Sequence, residues 1–245
     1  MNGIGKEFIE KTKFQYAEHS DQSLGYPQPP LESVTGEEGQ IFDLPEPKNI
    51  QVNRTDLREV IESRKSTRSY LLESISLEEL SYLLWCTQGV KHIKSSVTFR
   101  TVPSAGARHA LETYILVNNV EGLESGLYHF LPIEHRLVQI QAGEHIAGDI
   151  KTACLEQPFV INSAVTFIWT AVPYRMEWRY GERGYRYLHL DAGHVCQNLY
   201  LSAQSIDCGV CAIAAFLDDN MNTLLKIDGE KEFTIYIATV GKTLT

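Results

Sequence analysis

Residues 100–117 read RTVPSAGARHALETYILV, a stretch that combines a rigid entry, a loop of small residues and a strand. Pro103 is followed by Ser, Ala, Gly and Ala, which together offer almost no side-chain volume. Residues 112–117 are rich in β-branched and aromatic types and predict a strand. Nearly bare backbone beside a strand suits either a tight turn closed on itself or a loop that lies against a large flat ligand. The two interpretations predict different proteins.

Further strands and helices are expected around this stretch. Strands are predicted at Thr113–Val117, Leu127–Phe130, Leu137–Ile140, Ala164–Val172 and Phe233–Val240, with one more apolar segment at Val210–Phe216. Helices are predicted at Asp56–Ser63, from the capping box Ser76–Glu79 to Gly89, and at Gly143–Leu155, Tyr187–Ile206 and Asp218–Ile227. Thr55 is the expected cap of the first helix. This mixed order predicts an α+β fold, without a glycine-rich turn of the dinucleotide-binding type.

The longest of these helices carries a glycine near its middle. Gly193 costs about 1 kcal/mol of helix propensity relative to alanine. Close approach of another helix, from the same or a second subunit, would explain a residue without a side chain at this position.

Composition excludes several classes of partner. The 245 residues carry 22 Lys and Arg against 31 Asp and Glu, which gives a formal net charge of −9. Such a chain repels nucleic acid and anionic membranes unless its cations are clustered, so neither is expected as a partner. Residues 1–11 lack the apolar core of a signal peptide, and no run of about 18 apolar residues follows, so a cytoplasmic protein is expected.

The first 53 residues differ from the rest of the chain. Two short segments, GYPQPPLES and FDLPEPKNIQV, contain five prolines, and no helical or strand period persists. We therefore expect residues 1–53 to form an extended arm that lies on a surface, and residues 54–245 to form the folded domain.

The five cysteines are scattered and odd in number, which suits a reducing compartment. Cys208 and Cys211 form a CxxC motif. Because neither a second CxxC nor a paired histidine spacing accompanies it, no metal site is expected. The pair is either redox-active or, in the interpretation we favour, two thiols packed near a buried strand.

The densest positive segment is ESRKSTRSY, residues 62–70. In an extended backbone Arg64, Ser66 and Arg68 point to one face, with Lys65 between them. Two guanidinium groups and a hydroxyl suit the oxygens of a phosphate. The alternative is that these cations are solvated at a helix end, where they complement the helix dipole.

Together these segments resemble the FMN-dependent nitroreductase family. The matching motifs are SRKSTRSY (63–70), LLWCTQGV (83–90), RTVPSAGARHALETYILV (100–117), GLESGLYHFLP (122–132), YGERGYRYLHLDAGHVCQNLYLSAQ (180–204), GVCAIAAFLDD (209–219) and IYIATVGK (235–242). The most similar branch is the SagB/ThcOx-type dehydrogenases, which include azoline oxidases of peptide natural products. The resemblance runs from about residue 55 to residue 242 and leaves the arm outside.

This resemblance implies a central, mostly antiparallel sheet wrapped by helices, in an intertwined homodimer with FMN at the subunit interface. The positions that match the family's phosphate ligands are Arg64, Lys65, Ser66 and, from the far end of the chain, Lys242. Arg68 matches the cation beside the ribityl chain and the N1/C2-carbonyl edge of the flavin. Pro103, Ser104, Ala105 and Gly106 match the loop that the opposite subunit lays over the ring, so the resemblance favours the flat-ligand interpretation of the opening stretch. Ile213, Ala214 and Ala215 match the segment whose backbone N–H groups face the flavin N5 and O4.

The implied activity is ping-pong transfer of two electrons from NADH or NADPH to a nitroaromatic, a quinone or a similar small acceptor. One alternative is oxidation of azoline rings in a peptide, with oxygen as the final acceptor. Another is a non-catalytic flavin-binding subunit.

On the substrate side, Arg179 and Tyr180 stand where the azoline oxidases carry a Lys-Tyr pair. Arginine does not deprotonate in proteins and cannot serve as a base, whereas Tyr180 can act as an acid or hydrogen-bond donor. The alternative is that both side chains only pack at the start of the long helix. Ala214 stands where many nitroreductases carry an acidic residue.

Overall fold

The computed structural model describes residues 3–33, 39–52 and 56–244. Its α-helices are α1 (Ile4–Lys11), α2 (Leu57–Ser63), α3 (Leu77–Gln88), α4 (His145–Ala153), α5 (Phe159–Asn162), α6 (Tyr174–Tyr180), α7 (Gly184–Gln204) and α8 (Asp218–Leu224). Its strands are β1 (Ile41–Asp43), β2 (Val90–Lys94), β3 (Val97–Arg100), β4 (Leu111–Val117), β5 (Gly126–Leu131), β6 (Arg136–Ala142), β7 (Val165–Ala171), β8 (Cys208–Ile213) and β9 (Phe233–Lys242). Within these ranges no helix has both the length and the hydropathy needed to cross a membrane.

Seven strands form one sheet in the order β1-β6-β5-β4-β7-β9-β8. Each neighbouring pair in it is antiparallel, and β2 and β3 form a separate antiparallel hairpin. The predicted α+β fold with a mostly antiparallel central sheet is confirmed. Because β8 lies at an edge of the sheet, one side of its backbone is open to other partners.

Helices cover both faces of the sheet. On one face α3 and α7 bury Leu83, Leu188 and Leu199 in a core that includes Trp169 of β7. On the other face α4, α5 and α8 build a second core. Burial on both faces explains why residues 164–172 are apolar except for Thr166 and Thr170.

Local sequence signals explain where α2 and α3 begin and where α3 ends. The Ser76 hydroxyl accepts the Glu79 N–H at 3.2 Å, and the Glu79 carboxylate accepts the Ser76 N–H at 2.9 Å, which completes the expected capping box. α3 ends before Gly89, as expected. The cap of α2 is Asp56, whose carboxylate accepts two N–H groups of the first turn. The expected cap, Thr55, lies outside the described residues.

Part of the expected extended arm has regular structure instead. Residues 4–11 form α1, and residues 41–43 form β1, which pairs with β6 and so belongs to the central sheet. Arg186 of α7 holds the end of α1: its guanidinium donates to the Thr12 hydroxyl at 2.5 Å and lies 5.8 Å from the Phe8 ring centroid. These are tertiary contacts, which a local pattern does not encode. The hairpin β2–β3 and the helix α6 were not predicted either.

Candidate functional site

The cationic segment after α2 is extended, which is the conformation that the phosphate interpretation requires. Ser66 forms a parallel bridge with Val210 of β8, and the Thr67 N–H donates to the Val210 carbonyl at 2.8 Å. Along the part of the chain that the structure describes, no carboxylate forms an ion pair with Arg64, Lys65 or Arg68. Three uncompensated cations beside a hydroxyl, in a chain of negative net charge, fit a doubly charged phosphate.

Tyr200 of α7 links this segment to the edge strand β8. Its hydroxyl lies 3.2 Å from the Ser66 hydroxyl and accepts the Ala212 N–H at 2.9 Å. The Arg64 guanidinium carbon lies 5.3 Å from the Tyr200 ring centroid. Sequence reasoning missed Tyr200, because a tyrosine on the apolar stripe of a helix carries no signal beyond packing.

The open edge of β8 continues toward the segment expected to face the flavin. The Val210 carbonyl and the Ala212 N–H both point away from β9, since Thr67 and Tyr200 bind them. Backbone groups of a strand alternate in direction, so this alternation directs the next N–H along the edge, that of Ala214, to the same side. Ala214 and Ala215 are exposed, and Ile213 is buried.

Lys242, the other expected phosphate ligand, has a different partner. Its ammonium group donates to the Glu79 carboxylate at 2.5 Å and to the Ile206 carbonyl at 2.8 Å. Its backbone carbonyl accepts the Leu71 N–H at 2.9 Å, which brings the end of β9 beside the cationic segment. The Lys242 side chain is therefore not free for a phosphate in the way that Arg64 and Arg68 are.

The Pro103–His109 loop packs against Arg179 and Tyr180. Gly106 has φ +56°, and a Cβ atom there would clash with the Tyr180 hydroxyl and lie 2.9 Å from Arg179 Nε. Only glycine therefore fits this close contact without strain. The structure thus brings the predicted loop together with the predicted substrate-side pair.

The same loop is held by hydrogen bonds at both ends. The Ala105 N–H donates to Asp191 Oδ1 at 3.3 Å, and the His109 N–H donates to the Ser104 hydroxyl at 2.9 Å. Ala107 and His109 have φ values of 52° and 46°, which are unfavourable for residues other than glycine. A groove of about 400 Å³ runs beside the loop, so the loop is not sealed inside its own subunit.

The Pro103–His109 loop and the cationic segment contact opposite sides of α7. Asp191 contacts the Pro103–His109 loop, whereas Tyr200 contacts the cationic segment. Nine residues at 100° each place them half a turn apart round the helix, and at 1.5 Å per residue about 13 Å apart along it. The loop and the cationic segment of one chain therefore contact different parts of α7.

A larger groove lies on the outer side of Tyr180. Its volume is about 640 Å³, and its walls are residues 10–13 and 16–19 of the N-terminal segment and residues 180–183. Arg183 holds the two walls together by donating to the Thr12 carbonyl at 2.7 Å. The N-terminal segment thus builds a cavity next to a candidate catalytic residue.

The CxxC pair is buried in β8. Cys208 and Cys211 are free thiols with 3% and 1% of their surface exposed. Burial raises the pKa of Cys208 to about 12 and also raises the pKa of Cys211. Reactive thiols need lowered pKa values and access to solvent, so the geometry agrees with the packing interpretation.

A buried ionic cluster at the start of β4 was not predicted. Glu112 accepts from Arg175 at 2.5 Å, from His129 at 3.2 Å and from the Ser33 N–H at 2.7 Å. Burial alone would raise the pKa of Glu112, but Arg175 and His129 outweigh it, so this pKa lies well below its ordinary value. The cluster fastens residue 33 of the N-terminal segment to the sheet.

His109, at the end of the loop, is also buried near cations. Burial, with the nearby Arg100, lowers the pKa of His109 to about 3, so this imidazole is neutral at neutral pH. His109 therefore adds no positive charge to the groove beside the loop.

Comparison with known proteins gives a consistent result. The sequence model of the Nitroreductase family matches residues 61–242. A Methanocaldococcus jannaschii protein named as a nitroreductase, MJ1384, is 36% identical over 191 residues, which cover 78% of this chain and 93% of that protein. The trifolitoxin-processing protein TfxB of Rhizobium leguminosarum bv. trifolii is 34% identical over 113 residues, 43% of this chain and 29% of TfxB.

Two solved structures share the fold. The crystal structure of an Anabaena variabilis protein, named as a nitroreductase, superposes with a TM-score of 0.69 at 31% identity. The match covers 87% of this chain but 45% of that protein, so this chain spans about half of its length. The E. coli microcin synthetase McbBCD complex with truncated pro-MccB17 bound contains a chain with a TM-score of 0.63 at 18% identity. That match covers 99% of this chain and 92% of the other, and so includes the N-terminal segment.

Proposed function

Because this chain belongs to the nitroreductase family of oxidoreductases, we propose that it is an FMN-dependent homodimer that carries two electrons from NADH or NADPH to a small acceptor. The observation that carries the proposal is the extended segment with three uncompensated cations at the edge of β8. The acceptor would be a nitroaromatic, a quinone or a similar molecule. We propose the cytoplasm as its location.

In this proposal Arg64, Lys65 and Ser66 bind the phosphate. Arg64 is half-buried against Tyr200, and Ser66 is oriented by the Tyr200 hydroxyl, so both donors are positioned before a ligand arrives. Lys242 would join them only by exchanging its bond to Glu79 for one to the phosphate. We therefore assign the main electrostatic share of phosphate binding to Arg64.

FMN supplies two-electron redox chemistry at its ring system when it is bound. Arg68 would stabilise negative charge at the pyrimidine edge of that ring. Arg68 lies close to β8. Burial raises the pKa of Cys211 in that strand, and the positive charge of Arg68 opposes this rise. The Ala214 N–H, at the open edge of the same strand, would donate a hydrogen bond to the ring, with Ile213 and Ala215 beside it.

We propose that the Pro103–Gly106 loop of a second copy covers the ring. Two observations support a dimer. The loop contacts α7 half a turn away from the cationic segment of its own chain, so the loop of a second copy is the better candidate to cover a ring bound at that segment. Gly193 of α7 is exposed with open space in front of it, and the neighbouring Leu190 is 59% exposed, as expected of a helix face that meets another helix.

Anaerobic reduction tests this function. Purified protein reconstituted with FMN is expected to absorb at about 450 nm, and addition of NADPH or NADH should bleach that band. Restoration of the band by a quinone or nitroaromatic, without oxygen, would demonstrate the second half-reaction. A protein that binds no FMN would contradict the proposal, and a flavin that is bound but never reduced would indicate the non-catalytic alternative.

The groove beside Tyr180 favours a second candidate function, oxidation of azoline rings in a peptide. An extended peptide needs a site larger than a nitroaromatic does, and the N-terminal segment that walls this groove lies outside the family match at 61–242. The similarity to TfxB and the coverage of this segment by the McbBCD structure support the same idea. Tyr180 would act as the acid or hydrogen-bond donor, since Arg179 cannot be the base.

The two candidate functions differ in their electron donor. A peptide oxidase is expected to show no bleaching with either nicotinamide, and to bleach when an azoline-containing peptide is added without oxygen. Tyr180→Phe should then slow peptide-dependent bleaching at least tenfold. Bleaching by a nicotinamide alone, with no effect of Tyr180→Phe, would leave only the first function.

A further inference from the structure

We propose that Asp191 is a positioning residue that holds the Pro103–His109 loop in the conformation which closes the flavin site. This inference rests on the proposed FMN function and deepens it. Asp191 belongs to none of the expected ligands or catalytic groups, and it lies on the side of α7 away from the cationic segment.

The loop needs a restraint because its backbone is unfavourable. Gly106, Ala107 and His109 all have positive φ values, of 56°, 52° and 46°. Residues other than glycine in this region cost of order 1 kcal/mol each, and they persist only where surrounding contacts determine the conformation. A free segment of this composition would relax to other conformations.

Asp191 supplies contacts at the start of the loop. Its Oδ1 atom accepts the Ala105 N–H at 3.3 Å, and its carboxylate interacts with the Ser104 side chain. Ser104 in turn accepts the N–H of His109, at 2.9 Å, so the contact extends to the far end of the loop. One carboxylate thus connects α7 to both ends of the segment with positive φ values.

Burying the Asp191 carboxylate lowers the stability of the fold, so a role for this residue is expected. It is 5% exposed, and its Oδ2 atom has no hydrogen-bond partner among the described residues. Burial raises the pKa of Asp191, against the Ser104 and Ala105 contacts, which lower it. A buried carboxylate with an unpaired oxygen destabilises a fold relative to an apolar residue. The contacts that Asp191 makes with the loop are therefore the best explanation for its presence.

Replacement of Asp191 tests the proposal. Asp191→Ala is expected to increase hydrogen exchange of peptides covering residues 103–109 at least tenfold and to weaken FMN binding at least tenfold. Asp191→Asn keeps an oxygen that can accept the Ala105 N–H, so it should stay within about threefold of wild type in both measurements. Asp149→Ala, an exposed carboxylate on α4, is the matched control and should change neither.

The outcomes separate this proposal from the proposed function. Unchanged exchange in the loop of Asp191→Ala, or increased exchange with unchanged FMN affinity, would overturn the positioning role. If wild type itself binds no FMN, the proposed function fails, while exchange in the loop still decides whether Asp191 holds it. Should Asp191→Ala not fold, Ser104→Ala breaks the same chain of contacts and is expected to change both measurements in the same direction, about threefold.

Discussion

Replacing both Arg64 and Arg68 with alanine is expected to weaken FMN binding about 100-fold or more, so that the variant is purified colourless. Each charge-assisted hydrogen bond from an arginine, to a phosphate or to a carbonyl of the ring, contributes about 1.5–3 kcal/mol, and two such losses give at least this factor. Titration with FMN, followed by quenching of flavin fluorescence, measures the change. Lys65→Ala should have a smaller effect, because an exposed ammonium group is more weakly fixed than the half-buried Arg64.

The control variant also removes two positive charges, but at positions outside the proposed site. Arg58 is exposed and Arg136 is partly exposed, and both already bind carboxylates, at 2.8 and 2.6 Å. An Arg58→Ala/Arg136→Ala variant should keep its FMN affinity within about threefold, because surface ion pairs contribute little. Equal loss of FMN in both double variants would mean that net charge rather than a specific site governs binding, and full retention in Arg64→Ala/Arg68→Ala would refute the phosphate assignment.

Glu112→Gln is expected to lower the free energy of unfolding by about 3–5 kcal/mol, the largest effect that we expect of a single substitution on stability. The change leaves the buried guanidinium of Arg175 without its counter-charge and weakens the bond to the Ser33 N–H. Urea denaturation at pH 7 measures it. Glu144→Gln, at an exposed position, should stay within about 0.5 kcal/mol of wild type.

The pH dependence of the difference in unfolding free energy between wild type and Glu112→Gln provides an independent check. The pKa of Glu112 is lowered in the folded protein, so its contribution to stability is complete above the unfolded value of about 4.3 and is lost as pH falls below it. The gap between wild type and Glu112→Gln should therefore be constant from about pH 7 to pH 5 and narrow at lower pH. A gap that widens on acidification would contradict the ion pair. Glu112→Gln/Arg175→Met, which removes both charges, should recover part of the stability.

Much of the fold was predictable because its signals are local. The capping box at Ser76, the stop at Gly89 and the doubly buried strand at 164–172 depend on a few neighbouring residues. The N-terminal segment was not predictable in the same way. Its helix and its strand form because Arg186, and the edge of β6, lie against residues far away in the sequence, and those contacts become visible only in three dimensions.

The candidate site shows the same division. The cationic segment and the small-residue loop were predictable, since charge spacing and missing side chains are properties of short segments. Tyr200 and Asp191, which connect those segments to α7, sit at ordinary helical positions and carry no such signal. Lys242 shows the converse case, because a cation that matched a motif is bound to Glu79 in the structure. Motifs in the sequence identified the candidate phosphate ligands. The contacts in the folded chain show which of these side chains are free to bind a phosphate.

Mixed dimers test most directly whether one site is built from two chains. Arg64→Ala/Arg68→Ala disables the cationic segment, and Gly106→Val, at a position with φ +56°, disables the loop. Each variant alone is expected to be purified without bound FMN. A heterodimer of the two, isolated with different affinity tags, contains one site with both parts intact, and we expect it to recover FMN at that site. Heterodimers as colourless as the parents, or a wild-type monomer that binds FMN fully, would contradict the account.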